Sequence, residues 1–252
     1  MPTVRLERKG SLAVLRLDKK RGNAIDGPLV EDLLAAAQDL AEDGDVKGVL
    51  LASAHPKLFC PGLDLVTLVE MDRPALEAFM LRFSAMVTAL YSLPKPMVAA
   101  VAGHAVAGGC VLALTADWRV LAPEAQIGLN EVKVGLPLPW SVALLLKASV
   151  APSVLSRVAL LGDNVAGEEA LAVGLADELA GTEGFEKTCL ERLAAFADRG
   201  SRALATTKRY LRSSVLAEMR AREGPLIDEF LDAWFSADTQ ERIRAIVEKL
   251  RS

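Results

Sequence analysis

The sequence predicts an α/β fold that gives way to a helical C-terminal region. Patterns of buried strands and amphipathic helices alternate as far as residue 139, which is typical of parallel α/β units. From Trp140 onward almost every segment has a helical pattern. The chain has 252 residues, 52% of them apolar, which is enough for one domain with a large buried core.

The first elements are predicted from short apolar segments and one proline. Leu12 to Leu17 has the pattern of a strand, and it ends in a turn over residues 18–22. Pro28 fits the first turn of a helix, because its missing N–H would have no partner there. The apolar residues of this helix recur at helical spacing: Leu29, Leu33, Leu34, Ala37 and Leu40. The nearly all-apolar segment from Val46 to Ala52 predicts a strand with both faces covered.

The middle of the chain continues this alternation. A loop rich in Ser, Pro and Gly is predicted at residues 53–62, and a helix from about Pro74 to Leu90. Pro96 to Ala102 predicts another buried strand, after which an apolar helix begins near Gly108. A short strand is predicted from Trp118 to Ala122.

Amphipathic helices are predicted for the C-terminal region. One apolar stripe consists of Leu226, Ile227, Phe230, Leu231 and Trp234. Asp238 and Glu241 have the spacing of a capping box, which predicts the start of a further helix. Its apolar face consists of Ile243, Ile246, Val247 and Leu250. These helices must cover either the open side of the core or a neighbouring subunit.

The composition argues against several classes of function. A net charge of −4 without a basic block argues against nucleic-acid binding. Three widely spaced cysteines and two histidines lack the spacing of a metal site. No segment approaches the roughly eighteen apolar residues of a membrane span, and the first residues have a strand pattern rather than that of a signal peptide. We therefore expect a soluble, cytoplasmic protein with no metal and no membrane or nucleic-acid partner.

Two glycine-bearing loops are candidates for chemistry. Residues 59–65 (Phe-Cys-Pro-Gly-Leu-Asp-Leu) and 107–110 (Ala-Gly-Gly-Cys) each follow a buried strand. Glycine lets another molecule approach the backbone closely, and the N–H groups at a helix start have no partners within the helix. Two such N–H groups that converge on one point form an oxyanion hole. Neither loop has a phosphate-binding pattern, and a packing or turn role is the alternative for each.

Glu131 is the candidate acid or base. It ends the segment Ile127-Gly128-Leu129-Asn130-Glu131 and is followed by further apolar residues. Apolar surroundings disfavour a charged carboxylate and raise its pKa towards values that suit a base near neutral pH. For Glu131 taken alone, a solvated loop residue is the alternative.

Together these motifs resemble the crotonase, or enoyl-CoA hydratase/isomerase, superfamily over nearly the whole chain. The segments that carry the resemblance are 59–65, 102–117 and 126–135. It implies a ββα-spiral core over residues 1–195, a helical trimerisation region over 196–252, and homotrimers or dimers of trimers. It also implies an acyl-CoA thioester substrate, whose oxygen accepts hydrogen bonds from the N–H groups of Leu63 and Gly108. Coenzyme A is then part of the substrate, and no separate cofactor is expected.

Within the family the chain is most similar to the Δ3,Δ2-enoyl-CoA isomerases that use one glutamate. Family hydratases carry a glutamate three residues beyond the second oxyanion donor and another in the later loop, whereas this chain has Val111 and Glu131 there. One carboxylate suits the transfer of a proton from C2 of a 3-enoyl thioester to C4, which yields the trans-2-enoyl thioester. The alternatives are a hydratase or thioester hydrolase that uses Glu131 alone, and a non-catalytic acyl-CoA-binding subunit.

The resemblance also implies contacts with CoA and with the acyl chain. The implied binding positions are Ala24, Gly62, Asp64, Leu65, Val111 and Lys249. For Lys249, an exposed helix lysine without contact to CoA is the alternative. Leu136, Trp140 and Trp234 are candidates for the wall of an acyl tunnel, with core packing as the alternative.

Overall fold

The computed structural model describes residues 2–20 and 22–251. Met1, Arg21 and Ser252 lie outside the described residues. Met1 and Ser252 are the outer limits of the two predicted regions, and Arg21 is one position of the predicted turn at 18–22. The strands of the described part are β1 (Val4–Lys9), β2 (Leu12–Leu17), β3 (Gly48–Ser53), β4 (Leu58–Cys60), β5 (Met97–Val101), β6 (His104–Val106), β7 (Trp118–Leu121), β8 (Ile127–Gly128) and β9 (Glu178–Leu179).

The strands form two sheets. The larger sheet has the order β1-β2-β3-β5-β7-β9, in which β1 and β2 are antiparallel and the remaining pairs are parallel. The smaller sheet has the order β4-β6-β8 and is parallel throughout. The predicted strands are confirmed as β2, β3, β5 and β7, and β2 has the predicted bounds. The continuous apolar sequences of β3 and β5 correspond to burial on both faces of the larger sheet.

The helices occupy most of the remaining chain. They are α1 (Gly27–Glu42), α2 (Leu65–Leu68), α3 (Arg73–Ser92), α4 (Gly108–Leu114), α5 (Glu131–Val134), α6 (Trp140–Ser149), α7 (Gly167–Ala172), α8 (Phe185–Ala197), α9 (Ser201–Trp234) and α10 (Ala237–Arg251). The predicted start of α1 is confirmed: Pro28 lies in its first turn, and the Asp26 carboxylate accepts a hydrogen bond from the Leu29 N–H at 3.1 Å. Between α6 and α7 the chain makes a 3-10 turn at Pro152–Val154 and a π-helical turn at Arg157–Leu161.

The predicted ββα spiral is confirmed by the order of the elements. Three successive turns of the chain, starting at β3, β5 and β7, each add one strand to the larger sheet and the next strand to the smaller sheet. A helix follows each pair, beginning with α2, α4 and α5. Because the strands of the smaller sheet are parallel, the segments that follow β4, β6 and β8 leave the same edge of that sheet.

Four short strands were not expected from the sequence. β4 lies inside the predicted loop at 53–62, and β9 lies inside the predicted helical region. β6 directly precedes the second glycine loop, and β8 precedes the segment that carries Glu131. Each has only two or three residues, which is too short to produce a periodic pattern. Their neighbours in the sheets, and not their own sequences, stabilise them.

The C-terminal helices pack on the core of the same chain. The α9 side chains Ile227, Phe230, Leu231 and Trp234 are buried, as the apolar stripe predicted. α9 packs against α3 and α6, and α10 packs against α2 and α5. The predicted capping box is wrong: the cap of α10 lies two residues earlier, at Ser236, whose hydroxyl accepts a hydrogen bond from the Thr239 N–H at 3.4 Å. Asp238 does not serve as the N-cap because it lies inside the first turn of α10, where its backbone is already helical.

The limits of the predicted regions can be compared with these helices. A division between residues 195 and 196 falls two residues before the end of α8, and the first helix of the C-terminal region starts at Ser201.

In the described residues, every helix is too short or too polar to serve as a membrane span.

Candidate active site

A cavity of about 550 Å³ opens beside the smaller sheet. The segments that follow β4, β6 and β8 all reach it, since they leave the same edge of that sheet. Its floor is formed by almost completely buried side chains of α3, α6 and α9, namely Met80, Phe83, Val142 and Phe230. Its mouth is formed by more exposed residues, which include Thr67 on α2 and Leu250 on α10, the latter 65% exposed. The two titratable side chains among the lining residues are Asp64 and Glu131.

The two glycine loops touch each other backbone to backbone. A Cβ atom on Gly109 would lie 2.0 Å from the carbonyl oxygen of Cys60. A Cβ atom on Gly62, whose φ is +104°, would lie 3.3 Å from the backbone nitrogen of Gly108. Side chains at these positions would push the loops apart, so glycine is required for the close approach.

Two N–H groups of these loops have no hydrogen-bond acceptor in the described residues. Ile25 donates to the Gly62 oxygen and accepts from the Asp64 N–H, both at 2.8 Å. In such a parallel bridge the N–H of the middle residue, Leu63, points away from Ile25. Gly108 is the first residue of α4, so its N–H has no partner within the helix. Leu63 and Gly108 both line the cavity, and the geometry therefore supplies two free backbone donors there.

Ala107 joins β6 to α4 in a backbone conformation that favours glycine. Its φ is +50° and its ψ is −120°. The Ala107 N–H donates to the Gly128 oxygen at 2.8 Å, and its own oxygen accepts from the Val111 N–H at 3.0 Å. A non-glycine residue with such angles stores about 1–3 kcal/mol of strain, which the surrounding hydrogen bonds must offset. This conformation aims the Gly108 N–H, and no feature of the sequence predicted it.

Glu131 is the first residue of α5 and lies in apolar surroundings. Burial raises the pKa of its carboxyl to about 7, and the Glu131 N–H opposes this shift only in part. Its Oε2 atom is buried and has no hydrogen-bond partner among the described residues. The raised pKa agrees with what its apolar neighbours predicted.

The raised pKa makes a testable contribution to stability. Because the folded-state pKa lies near 7 and the ordinary value near 4.5, the folded chain holds this proton more tightly than the unfolded chain. The resulting stabilisation is complete below pH 4.5 and is lost as the pH rises through 7. We expect the unfolding free energy of Glu131→Gln, relative to the wild type, to rise by about 2–3 kcal/mol between pH 4 and pH 8. Urea unfolding of both proteins at the two pH values measures this, and a constant difference would contradict it.

Asp64, the other titratable lining residue, is held by two interactions. Its carboxylate accepts a hydrogen bond from the Thr67 N–H at 3.3 Å and pairs with Lys19 at 3.2 Å. Lys19 also pairs with Asp26 at 2.7 Å and donates to the Ala24 oxygen at 2.7 Å. Lys19 therefore joins the two loops that border the mouth near Ala24 and Asp64. The role of Lys19 was not predicted from the sequence, because its partners lie up to 45 positions away in the chain.

Most of the candidate site residues meet at this cavity. Those that line it are Ala24, Leu63, Asp64, Leu65, Gly108, Val111 and Glu131. Gly62 lies directly behind the lining, against Ala107 and Gly108. Lys249 is exposed on α10 and is not among the lining residues, although Ile246 and Leu250 of the same helix are.

The candidates for the wall of an acyl tunnel also include residues that line the cavity and residues that do not. Leu136 lines the cavity, whereas Trp140 and Trp234 do not. The floor residues of α3, α6 and α9 were not singled out from the sequence. Each belongs to an apolar helical face, and nothing in such a face distinguishes the wall of a cavity from the core.

Three comparisons relate the chain to known proteins. A family model described as "Enoyl-CoA hydratase/isomerase" matches residues 7–252. The human protein "Enoyl-CoA delta isomerase 1, mitochondrial" is 26% identical over 242 residues, which cover 95% of this chain and 80% of that protein. A Thermus thermophilus "Putative enoyl-CoA hydratase" is 33% identical over 249 residues, which cover 96% of each chain.

The structural comparison gives the same relationship. The crystal structure of human mitochondrial Δ3,Δ2-enoyl-CoA isomerase superposes with a TM-score of 0.94 at 25% sequence identity. The match covers 99% of this chain and 98% of the human chain. The predicted crotonase-type fold is confirmed, while relatives named as an isomerase and as a hydratase are both similar in sequence.

Proposed function

The chain belongs to the enoyl-CoA hydratase/isomerase family, and we propose that it is an isomerase that converts 3-enoyl-CoA to trans-2-enoyl-CoA. The observation that carries this proposal is the isolation of Glu131. Its buried Oε2 atom has no hydrogen-bond partner among the described residues, and Glu131 lines an apolar cavity. The α4 position where family hydratases hold a second glutamate is Val111, which is 1% exposed. The two lining N–H groups of Leu63 and Gly108 support the same proposal.

The proposed reaction moves one proton and one double bond. The Glu131 carboxylate removes a proton from C2, and the electron pair of that C–H bond spreads over the thioester and the neighbouring double bond. Negative charge develops on the thioester oxygen, where the N–H groups of Leu63 and Gly108 stabilise it. Protonated Glu131 then delivers the proton to C4, so that the double bond lies between C2 and C3. Water, metal and redox cofactors are not needed, because no atom is added and nothing is oxidised.

The raised pKa of Glu131 suits this role. A group that accepts a proton at one carbon and returns it at another works best when its pKa lies near the working pH. The value of about 7 meets this condition, whereas an ordinary carboxyl would be a weaker base. A second glutamate would help to hold and activate water, and Val111 removes that possibility on the α4 side.

The remaining contacts with substrate are part of the proposal. CoA would lie along the mouth near Ala24, Gly62, Asp64 and Leu65, and the acyl chain would extend past Val111. Lys249 is retained as a contact for the CoA phosphates, since its helix borders the mouth. We also propose a homotrimer or a dimer of trimers, and a cytoplasmic location.

The identity of the product tests the proposal. Incubation with 3-hexenoyl-CoA should raise the ultraviolet absorbance of a conjugated thioester and leave the mass unchanged. Incubation with trans-2-hexenoyl-CoA should add no water. Addition of water to the second substrate would establish a hydratase, and release of free CoA a hydrolase. CoA binding without turnover of either would establish the non-catalytic alternative.

A further inference from the structure

The position of the Glu131 carboxylate depends on the backbone that carries it. Its Oε2 atom has no hydrogen-bond partner among the described residues, so no side chain holds it from outside. The carrier, α5, has only four residues and ends at Gly135, whose φ is +94°. A helix this short is not stable by itself. Contacts with other elements must therefore fix α5 and, with it, Glu131.

Two of these contacts come from α10. The Thr239 hydroxyl donates a hydrogen bond to the Gly135 oxygen at 3.2 Å, and Thr239 is only 3% exposed. A Cβ atom on Gly135 would lie 2.7 Å from the Thr239 oxygen, so glycine is needed for this approach. The Arg242 guanidinium donates to the Lys133 oxygen at 3.4 Å, near the limit for a hydrogen bond. The hydrogen bond from Thr239 is the buried and shorter one of the two.

The other side of α5 packs against the π-helical turn that ends at Gly162, where a Cβ atom would lie 2.9 Å from the Val132 side chain, and its polar contact there is an ion pair. The Lys133 ammonium pairs with Asp163 at 2.6 Å, but both side chains are more than half exposed. An exposed ion pair of this kind contributes little to rigidity. Among the polar contacts of α5, the buried hydrogen bond from Thr239 is therefore the one best able to fix the end of this helix.

The same helix α10 also forms part of the cavity wall. Ile246 and Leu250 line the cavity two and three helical turns beyond Thr239. The last turn is tied to the segment after α2 by an ion pair between Arg251 and Glu70 at 3.1 Å. One helix therefore contacts both the substrate cavity and the element that carries the base.

We propose that Thr239 is a positioning residue for the reaction: its hydrogen bond to the Gly135 oxygen holds α5 so that Glu131 faces the Leu63 and Gly108 donors. This role rests on the proposed function of Glu131. Thr239 does not line the cavity, so its effect must pass through α5. A base displaced by about 1 Å can lose as much as 100-fold in rate, so a single anchoring contact matters.

A pair of variants separates the hydroxyl from the bulk of the side chain. Thr239→Val keeps the shape and removes the donor, and we expect kcat to fall about tenfold while KM changes less than threefold. Thr239→Ser keeps the donor and should retain kcat within about twofold. Thr207→Val, on an exposed position of α9, is the matched control. Equal losses in Thr239→Val and Thr239→Ser, or none in either, would overturn the proposal.

A readout that does not require turnover completes the test. The Glu131 carboxyl can be titrated by carbon-13 NMR, with its signal assigned by its absence in Glu131→Gln. Wild type and Thr239→Ser should titrate near pH 7, and Thr239→Val should titrate at lower pH because a loosened α5 admits water. The elements around Glu131 also carry titratable or charged groups, which include Asp64, Cys110, Lys133, Asp163 and Arg242.

The two proposals fail in distinguishable ways. If the wild type hydrates 2-enoyl-CoA and does not convert 3-enoyl-CoA, the isomerase is excluded, and the kcat comparison is made on hydration instead. If no substrate is turned over, the titration alone decides the role of Thr239. An unchanged titration in Thr239→Val would overturn the inference whatever the reaction is.

Discussion

Replacing Glu131 with glutamine should lower kcat for 3-hexenoyl-CoA by about 1000-fold, with KM changed less than about threefold. Glutamine has nearly the same shape but cannot accept the C2 proton. The two backbone donors and the apolar cavity remain, so binding of the thioester should persist. Steady-state kinetics on the purified variant measure both constants.

The matched control for this variant is Glu124→Gln, an exposed glutamate outside the cavity lining, which should keep wild-type kinetics. Glu131→Gln should also be at least as stable as the wild type at pH 8, because it removes a buried carboxyl whose ionisation burial opposes. Loss of activity without loss of stability would locate the defect in the chemistry. Full activity of Glu131→Gln would exclude the proposed mechanism.

Gly109→Ala is expected to have the largest effect on folding. The new Cβ would lie 2.0 Å from the carbonyl oxygen of Cys60 and 2.8 Å from its carbonyl carbon. These are backbone atoms that cannot rotate away, so the two glycine loops must separate. We expect a loss of about 3 kcal/mol in the free energy of unfolding, together with loss of turnover. Urea unfolding at constant pH measures the stability.

Two further alanine variants serve as comparisons for Gly109→Ala. Gly44→Ala places its Cβ in open space and should change neither stability nor activity. In Gly108→Ala the Cβ would meet the movable end of the Ile25 side chain at 2.8 Å, so this chain should still fold. Reduced turnover of folded Gly108→Ala would support a role for this backbone in catalysis. Wild-type stability of Gly109→Ala would show that the loops are not closely packed.

The sequence allowed the main elements of the fold and the rim of the cavity to be predicted. Long apolar strands such as β3 and β5, and helices with clear start signals such as Pro28, have local patterns strong enough to identify them. The glycine loops and Glu131 were singled out by residue type and by resemblance, and the structure places them around one cavity. Their chemical roles stay predictions.

Features that depend on distant parts of the chain could not be predicted. The cavity floor combines Met80 with Val142 and Phe230, which are far apart in sequence and have the composition of ordinary core residues. The ion pair of Lys19 with Asp64 and the hydrogen bond of Thr239 to Gly135 are equally non-local. The capping box at Asp238 was wrong because Ser236, two residues earlier, serves as the cap.

The strained conformation of Ala107 affects how the site would stabilise a negative charge that develops next to the Gly108 N–H. A donor in water must reorient before it can stabilise a new anion, and that reorganisation is part of the barrier. Here the Gly108 N–H is held in place by a backbone that cannot rotate without breaking the Ala107 hydrogen bonds and pressing on Gly62. The orientation is therefore completed during folding, before any thioester binds. In a site preorganised in this way, donor alignment lowers the barrier itself and appears in kcat more than in KM.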